Sequence, residues 1–172
     1  MACDNGSCKL PQTAASTPPS LVELLRSSPL VHAKTHLQSS ISSNDKRLIL
    51  VYFSASWCPP CAKFSPLLSE FAGRNSEDVI VIYCGMDRDE SSLKSFVSAK
   101  NFLYIPFPDA LRTQLPGIVG VSMIPTLLVL SPEGKTVTDW GRSAVMKNPG
   151  GCVQEWKQGK AGVSWLQFLK PW

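Results

Sequence analysis

The chain has 172 residues, 44% of them hydrophobic, and its 17 basic and 13 acidic residues give a net charge of +4. That length suits one core with terminal extensions, and the apolar content is enough to fill it without a run long enough to span a bilayer. The mild, unclustered charge shows no nucleic-acid footprint, and neither nucleic acid nor membrane is expected as a partner.

Met1 to Pro19 is rich in Ser, Thr, Pro and Ala and is expected to be flexible, leaving 20–172 as the domain. Its first eight residues hold Asp4 and two cysteines in place of a basic stretch and an apolar one, so no secretory leader is expected. Ser20-Leu21-Val22-Glu23 has capping-box spacing, predicting a short helix that Pro29 ends. Leu30 to Leu37 reads as a strand holding His32 and His36, which it would set about 13 Å apart, too far for a metal pair. Leu48 to Phe53 is almost continuously apolar behind Asp45-Lys46-Arg47, as expected of a strand buried on both faces in a mostly parallel sheet. From Ala62 the spacing turns helical, with Phe64, Leu67, Leu68, Phe71 and Ala72 on one face and Gly73 as the stop.

Further along, Val79 to Cys84 predicts a strand, Ser91 to Lys100 a helix, and Asp109 to Gly117 a loop with one short helix. Leu127 to Leu130 and Thr136 to Trp140 pair as a hairpin across Ser131-Pro132-Glu133-Gly134. The tail from Gly151, with Val153, Trp156, Trp165, Leu166, Phe168 and Leu169, predicts a helix on the sheet and a further segment after it.

Between the first long strand and its helix stands Trp57-Cys58-Pro59-Pro60-Cys61. Two cysteines at this spacing, where a strand gives way to a helix, form a dithiol that exchanges electrons with disulfides. The attacking species is the thiolate, and unpaired N–H groups with the positive end of the helix dipole favour that anion. Pro59 and Pro60 stiffen the loop without loss, because the first helical turn has no use for their missing N–H. Cys58, ahead of the helix, is expected to be exposed and to act as nucleophile; Cys61, a turn later, is expected to be more buried and to resolve the mixed disulfide.

The same spacing is a zinc half-site, with Cys3, Cys8, Cys84, Cys152, His32 and His36 as candidate partners. None of these forms a second close pair of the same spacing, so no metal is expected. Cys84 reads as a packed apolar residue, Cys152 beside Gly150 and Gly151 as exposed, and Cys3 with Cys8 as a candidate second pair or intermolecular link. One Cys-x-x-Cys with four scattered thiols suggests an intracellular chain. Cytoplasmic placement, extending to the nucleus, is the expectation.

Downstream, Ile124-Pro125-Thr126 opens an apolar run. Proline at the start of a strand is ordinary and most X-Pro bonds are trans. Beside a dithiol, a cis proline would free the Ile124 backbone to pair with an extended substrate, with Met123 as an adaptable apolar contact.

Tyr52-Phe53-Ser54-Ala55-Ser56-Trp57-Cys58-Pro59-Pro60-Cys61, Phe64-Ser65-Pro66-Leu67-Leu68, Asp87-Arg88-Asp89-Glu90-Ser91, Ile105-Pro106-Phe107, Gly120 to Leu127, Pro132-Glu133-Gly134 and Gly141-Arg142 occur in an order that resembles the thioredoxin superfamily, in its nucleoredoxin and tryparedoxin branch. The resemblance covers about Leu48 to Trp156. It implies an α/β thioredoxin fold, a central mixed sheet flanked by helices, a dithiol–disulfide cycle on Cys58 and Cys61, and a cis bond before Pro125. Trp57 would shield the dithiol and offer a flat contact surface, Pro66 would kink the active-site helix, and Trp57, Pro59, Pro60, Ile124 and Pro125 would form the substrate contact. The chain departs from ordinary thioredoxins in having Tyr52 where they carry a buried aspartate, so proton transfer to Cys61 must use water or another group. Tryparedoxins often carry tryptophan near Met86 and Phe102, and Ala62-Lys63 follows Cys61 where an arginine is common.

The function so implied is reduction of protein disulfides, with no cofactor beyond the redox-active pair and electrons from an upstream reductase or a low-molecular-weight thiol. The alternative is a redox-sensitive partner-binding module in signalling, with little general turnover.

Overall fold

The computed structural model describes residues 19–162. Cys3, Cys8, Trp165, Leu166, Phe168 and Leu169 lie outside that range, as do the expectations placed on them. Helix α1 (Leu21–Ser27) begins at Ser20, where the capping box is formed in both directions. It ends at Ser28, which precedes Pro29 and is extended, as a residue before proline prefers to be.

The strand expected over 30–37 is instead a tight hairpin, β1 (Leu30–His32) and β2 (Gln38–Ser39). His32 Nδ1 accepts the backbone N–H groups of Lys34 and Thr35 at 3.3 and 3.4 Å. His36 sits at φ 57°, the left-handed conformation that turns the chain back. The histidines are therefore separated by a turn, and the extended-strand spacing does not apply to them.

Strand β3 (Leu48–Ser54) is buried at every position, as expected. After it come α2 (Pro59–Arg74), β4 (Val79–Gly85), α3 (Glu90–Val97), β5 (Leu103–Tyr104) and α4 (Ala110–Val119). The chain continues with β6 (Thr126–Leu130), β7 (Thr136–Thr138), α5 (Gly141–Lys147) and α6 (Cys152–Lys157). The sheet order is β2-β1-β5-β4-β3-β6-β7. β3, β4 and β5 are parallel, and the other pairs antiparallel, so the sheet is mixed.

Side chains alternate across β3 and build two cores. Leu48, Leu50 and Tyr52 pack with Phe64, Leu68 and Phe71 of α2, Leu93 and Val97 of α3, and Trp156 of α6. Ile49, Val51 and Phe53 pack on the other face with Val22 and Leu25 of α1 and Leu111 and Leu115 of α4. Fully apolar β3 is what a strand covered on both faces requires.

Several boundaries differ from the sequence reading. α2 runs past Gly73 to a cap at Asn75, and Leu67 is 50% exposed because the buried arc passes through Phe64, Leu68 and Phe71 instead. The segment after Asp109 is mostly helix despite Pro116. A proline there removes a bond to the Arg112 carbonyl four residues back. That carbonyl accepts from Cys84 Sγ at 3.4 Å. Gly120 closes α4 at φ 71°, a conformation that favours glycine, with Val121 N–H reaching back to Pro116 O at 2.8 Å. β5 and α5 were not expected, being short and without a distinct apolar period.

Candidate active site

β3 delivers the chain to a short loop, Ala55 to Trp57, and Cys58 stands as the N-cap of α2 with Pro59 and Pro60 in its first turn. Cys58 Sγ accepts the Cys61 N–H at 3.3 Å. The sulfur thus occupies the place of a capping oxygen, at the positive end of the helix. Cys58 and Cys61 are joined as a disulfide, with Cα atoms 5.2 Å apart.

Cys61 is 0% exposed, as expected, but Cys58 is only 5% exposed. The reason is tertiary: Ile124 from the loop before β6 and Phe96 from α3 pack against the cluster that Ala55 forms with the two cysteines. Ile124-Pro125 is a cis bond, as the resemblance implied, and brings a segment more than sixty residues away in sequence onto the dithiol. Around this buried pair, Trp57 is 53% and Met123 73% exposed, and Pro59 and Pro60 are also exposed. One cleft of about 280 Å³ borders Pro59, Pro60, Lys63 and Phe64. Another of about 370 Å³ borders Met123, Pro125 and Trp140, and Arg142 contributes to both walls.

Behind Cys61, Tyr52 Oη lies 2.9 Å from Ser65 Oγ, which donates to the Cys61 carbonyl at 2.8 Å. Burial pushes the Tyr52 phenol above its ordinary range, so this hydroxyl stays protonated as a hydrogen-bonding group. Pro66 lies inside α2, which runs on past it to Arg74.

In the sequence, Asp87 stands out only as part of the Asp87-Arg88-Asp89-Glu90-Ser91 stretch of the resemblance. It is 5% exposed, accepts Ser56 N–H at Oδ1 and Tyr83 Oη at Oδ2, both at 2.7 Å, and lies next to Met86, whose carbonyl accepts Trp57 Nε1 at 3.2 Å. An acidic residue after a buried strand reads as the opening of the next helix, which gave no hint of its burial. Among the described residues no group of three or more His, Cys, Asp or Glu side chains could hold a metal ion. Cys84 is buried, as expected; Cys152, expected to be exposed, is buried too, because the first turn of α6 faces the core.

A family model described as thioredoxin-like matches residues 45–136. Nucleoredoxin of Homo sapiens is 39% identical over 105 residues, covering 57% of this chain and 23% of that protein. The chain thus spans about a quarter of the length of that relative. Tryparedoxin of Trypanosoma brucei brucei is 31% identical over 121 residues, covering 68% of this chain and 84% of that one. The solved structure of tryparedoxin I from Leishmania major superposes with a TM-score of 0.67 at 32% identity, covering 74% of this chain and 90% of that one. The matched stretch takes in Cys58, Cys61 and Pro125, and the chain belongs to the thioredoxin-like family.

Proposed function

We propose that this protein reduces disulfides in other proteins through a two-cysteine cycle on Cys58 and Cys61. The observation that carries the reading is the placement of the pair: Cys58 Sγ caps α2 and accepts the Cys61 N–H, an environment that favours a thiolate. In the reduced protein the Cys58 thiolate attacks one sulfur of the substrate disulfide. A mixed disulfide forms and the other substrate sulfur leaves as a thiolate, which takes a proton from water. Cys61, as thiolate, then attacks Cys58 Sγ, closing the internal disulfide and releasing the second substrate thiol. Two electrons pass to the substrate. An upstream reductase or a low-molecular-weight thiol returns them.

Trp57, Pro59, Pro60, Ile124 and Pro125 form the substrate contact in this reading. Exposed Trp57 and the two prolines supply a rigid apolar rim, and the Ile124 backbone pairs with an extended segment of the substrate. No helix among the described residues is long and apolar enough to cross a membrane. On the separate ground of one Cys-x-x-Cys among scattered thiols, this reading places the activity in the cytoplasm, extending to the nucleus.

A second reading, a redox-sensitive binding module, is favoured by the exposure of Trp57 and Met123 beside the dithiol. Insulin reduction with dithiothreitol separates the two. The parental protein is expected to accelerate it, and Cys58→Ser, folded to the same extent, is expected to lose the acceleration. If a folded, reduced parent gives no acceleration, the reductase reading fails and the binding module takes its place.

A further inference from the structure

The loop that leads to Cys58 is held from the side by the segment following β4. Met86 N–H donates to Ser54 O at 2.8 Å, Ser56 N–H to Asp87 Oδ1 at 2.7 Å, and Trp57 Nε1 to Met86 O at 3.2 Å. The Arg88 guanidinium lies 5.8 Å from the centre of the Trp57 ring. Only the Asp87 contact in this set uses a buried side chain. Its second oxygen accepts from Tyr83 Oη at 2.7 Å, and Tyr83 is itself fully buried, 5.8 Å from the Phe96 ring that packs on the dithiol.

An ionised carboxylate is a pure acceptor, and burying one is unfavourable unless donors meet it. Here a backbone N–H and a phenol each meet one of its two oxygens, both at 2.7 Å. The cap of α3 does not account for it, because Asp89 fills that position and accepts Ser92 N–H. The site is also closed around it. A Cβ at Gly85 would fall 2.7 Å from Asp87 Oδ2 and 2.5 Å from Tyr83 Cε1.

We infer that Asp87 is a positioning residue for Cys58: its carboxylate, clamped by Tyr83, fixes the loop at Ser56 and so keeps the Cys58 sulfur at the head of α2. The inference rests on the reading of Cys58 as the nucleophile.

The test follows carbamidomethylation of Cys58 by iodoacetamide in the reduced full-length protein at pH 7, quantified on the Cys58 peptide by mass spectrometry. This reports the sulfur whether or not the protein turns over insulin, so failure of the reductase reading leaves the comparison intact. Asp87→Asn offers an amide oxygen to Ser56 N–H and an amide N–H to the Tyr83 hydroxyl, preserving the clamp without its charge. Its rate is expected within about threefold of the parent, while Asp87→Ala, checked as folded by circular dichroism, falls about tenfold below the Asn variant. Equal rates in the folded Ala and Asn variants overturn the inference. Should the Ala variant not fold, Tyr83→Phe decides: a fall of about threefold supports the clamp, and a parental rate overturns it.

Discussion

Cys84 and Cys152 are the same functional group as Cys58, and the structure silences both by burying them. Loss of hydration penalises a thiolate, and burial pushes both thiols up to about 12. They therefore remain protonated at neutral pH. The sign of the linkage follows from a folded value raised above the unfolded one. The contribution of each thiol to stability is complete below pH 9.0 and is lost as pH rises toward about 12. A Cys84→Ala, Cys152→Ala double variant is thus expected to lose less stability than the parent between pH 9 and pH 10.5, measured by urea unfolding under reducing conditions. A parallel decline in the two proteins would refute it.

At the scale of elements, the short-range rules account for most starts and stops. Ser20 Oγ accepts Glu23 N–H at 3.4 Å, and the Glu23 carboxylate accepts Ser20 N–H at 2.6 Å. The helix so begun buries Val22 and Leu25 and sends Arg26 Nη2 to Pro132 O at 3.0 Å, next to the β6–β7 turn. Ser20→Ala is expected to lower stability by about 1 kcal/mol in urea unfolding, and Ser20→Asn to retain most of it. Two departures from the sequence reading, β5 and the extent of α4, have a common cause. β5 exists because β4 and β1 flank it, and α4 passes through Pro116 because a side chain from β4 meets the carbonyl that the proline leaves open. In each case the partner lies on another element, beyond the reach of local patterns.

For the molecule as a whole, α6 closes the face of the sheet that α2 covers. Trp156 is 1% exposed, stands edge-on to Phe71 with ring centres 6.0 Å apart, and donates its indole N–H to Ala161 O at 3.1 Å. Lys157 Nζ reaches Asp78 Oδ1 at 2.6 Å, tying the helix to the start of β4. Phe71 lies roughly 20 Å along α2 from Cys58 at 1.5 Å per residue, so this cluster supports the fold at the end remote from the dithiol. Trp156→Ala is expected to cost about 3–5 kcal/mol in urea unfolding. Where that variant remains folded, insulin turnover is expected within about twofold of the parent, because the α2 N-terminus is untouched. A turnover loss much greater than the unfolded fraction explains would show that the two ends of α2 are coupled.

The dithiol, its place before a helix, the two prolines, the buried strand β3 and the α1 cap could all be read from the chain alone. Each is encoded within a few consecutive residues, where spacing, N–H availability and apolar period act locally. The tertiary structure decided which surfaces meet. It covered Cys58 with Ile124 and Phe96, drew Cys152 into the core, left Leu67 exposed, and turned 30–39 into a hairpin. It also brought Asp87 under the loop that leads to Cys58, 31 residues from Ser56, whose N–H it accepts. Burial and hydrogen-bond partners across such separations follow from packing of the whole chain, and no local window of sequence contains them.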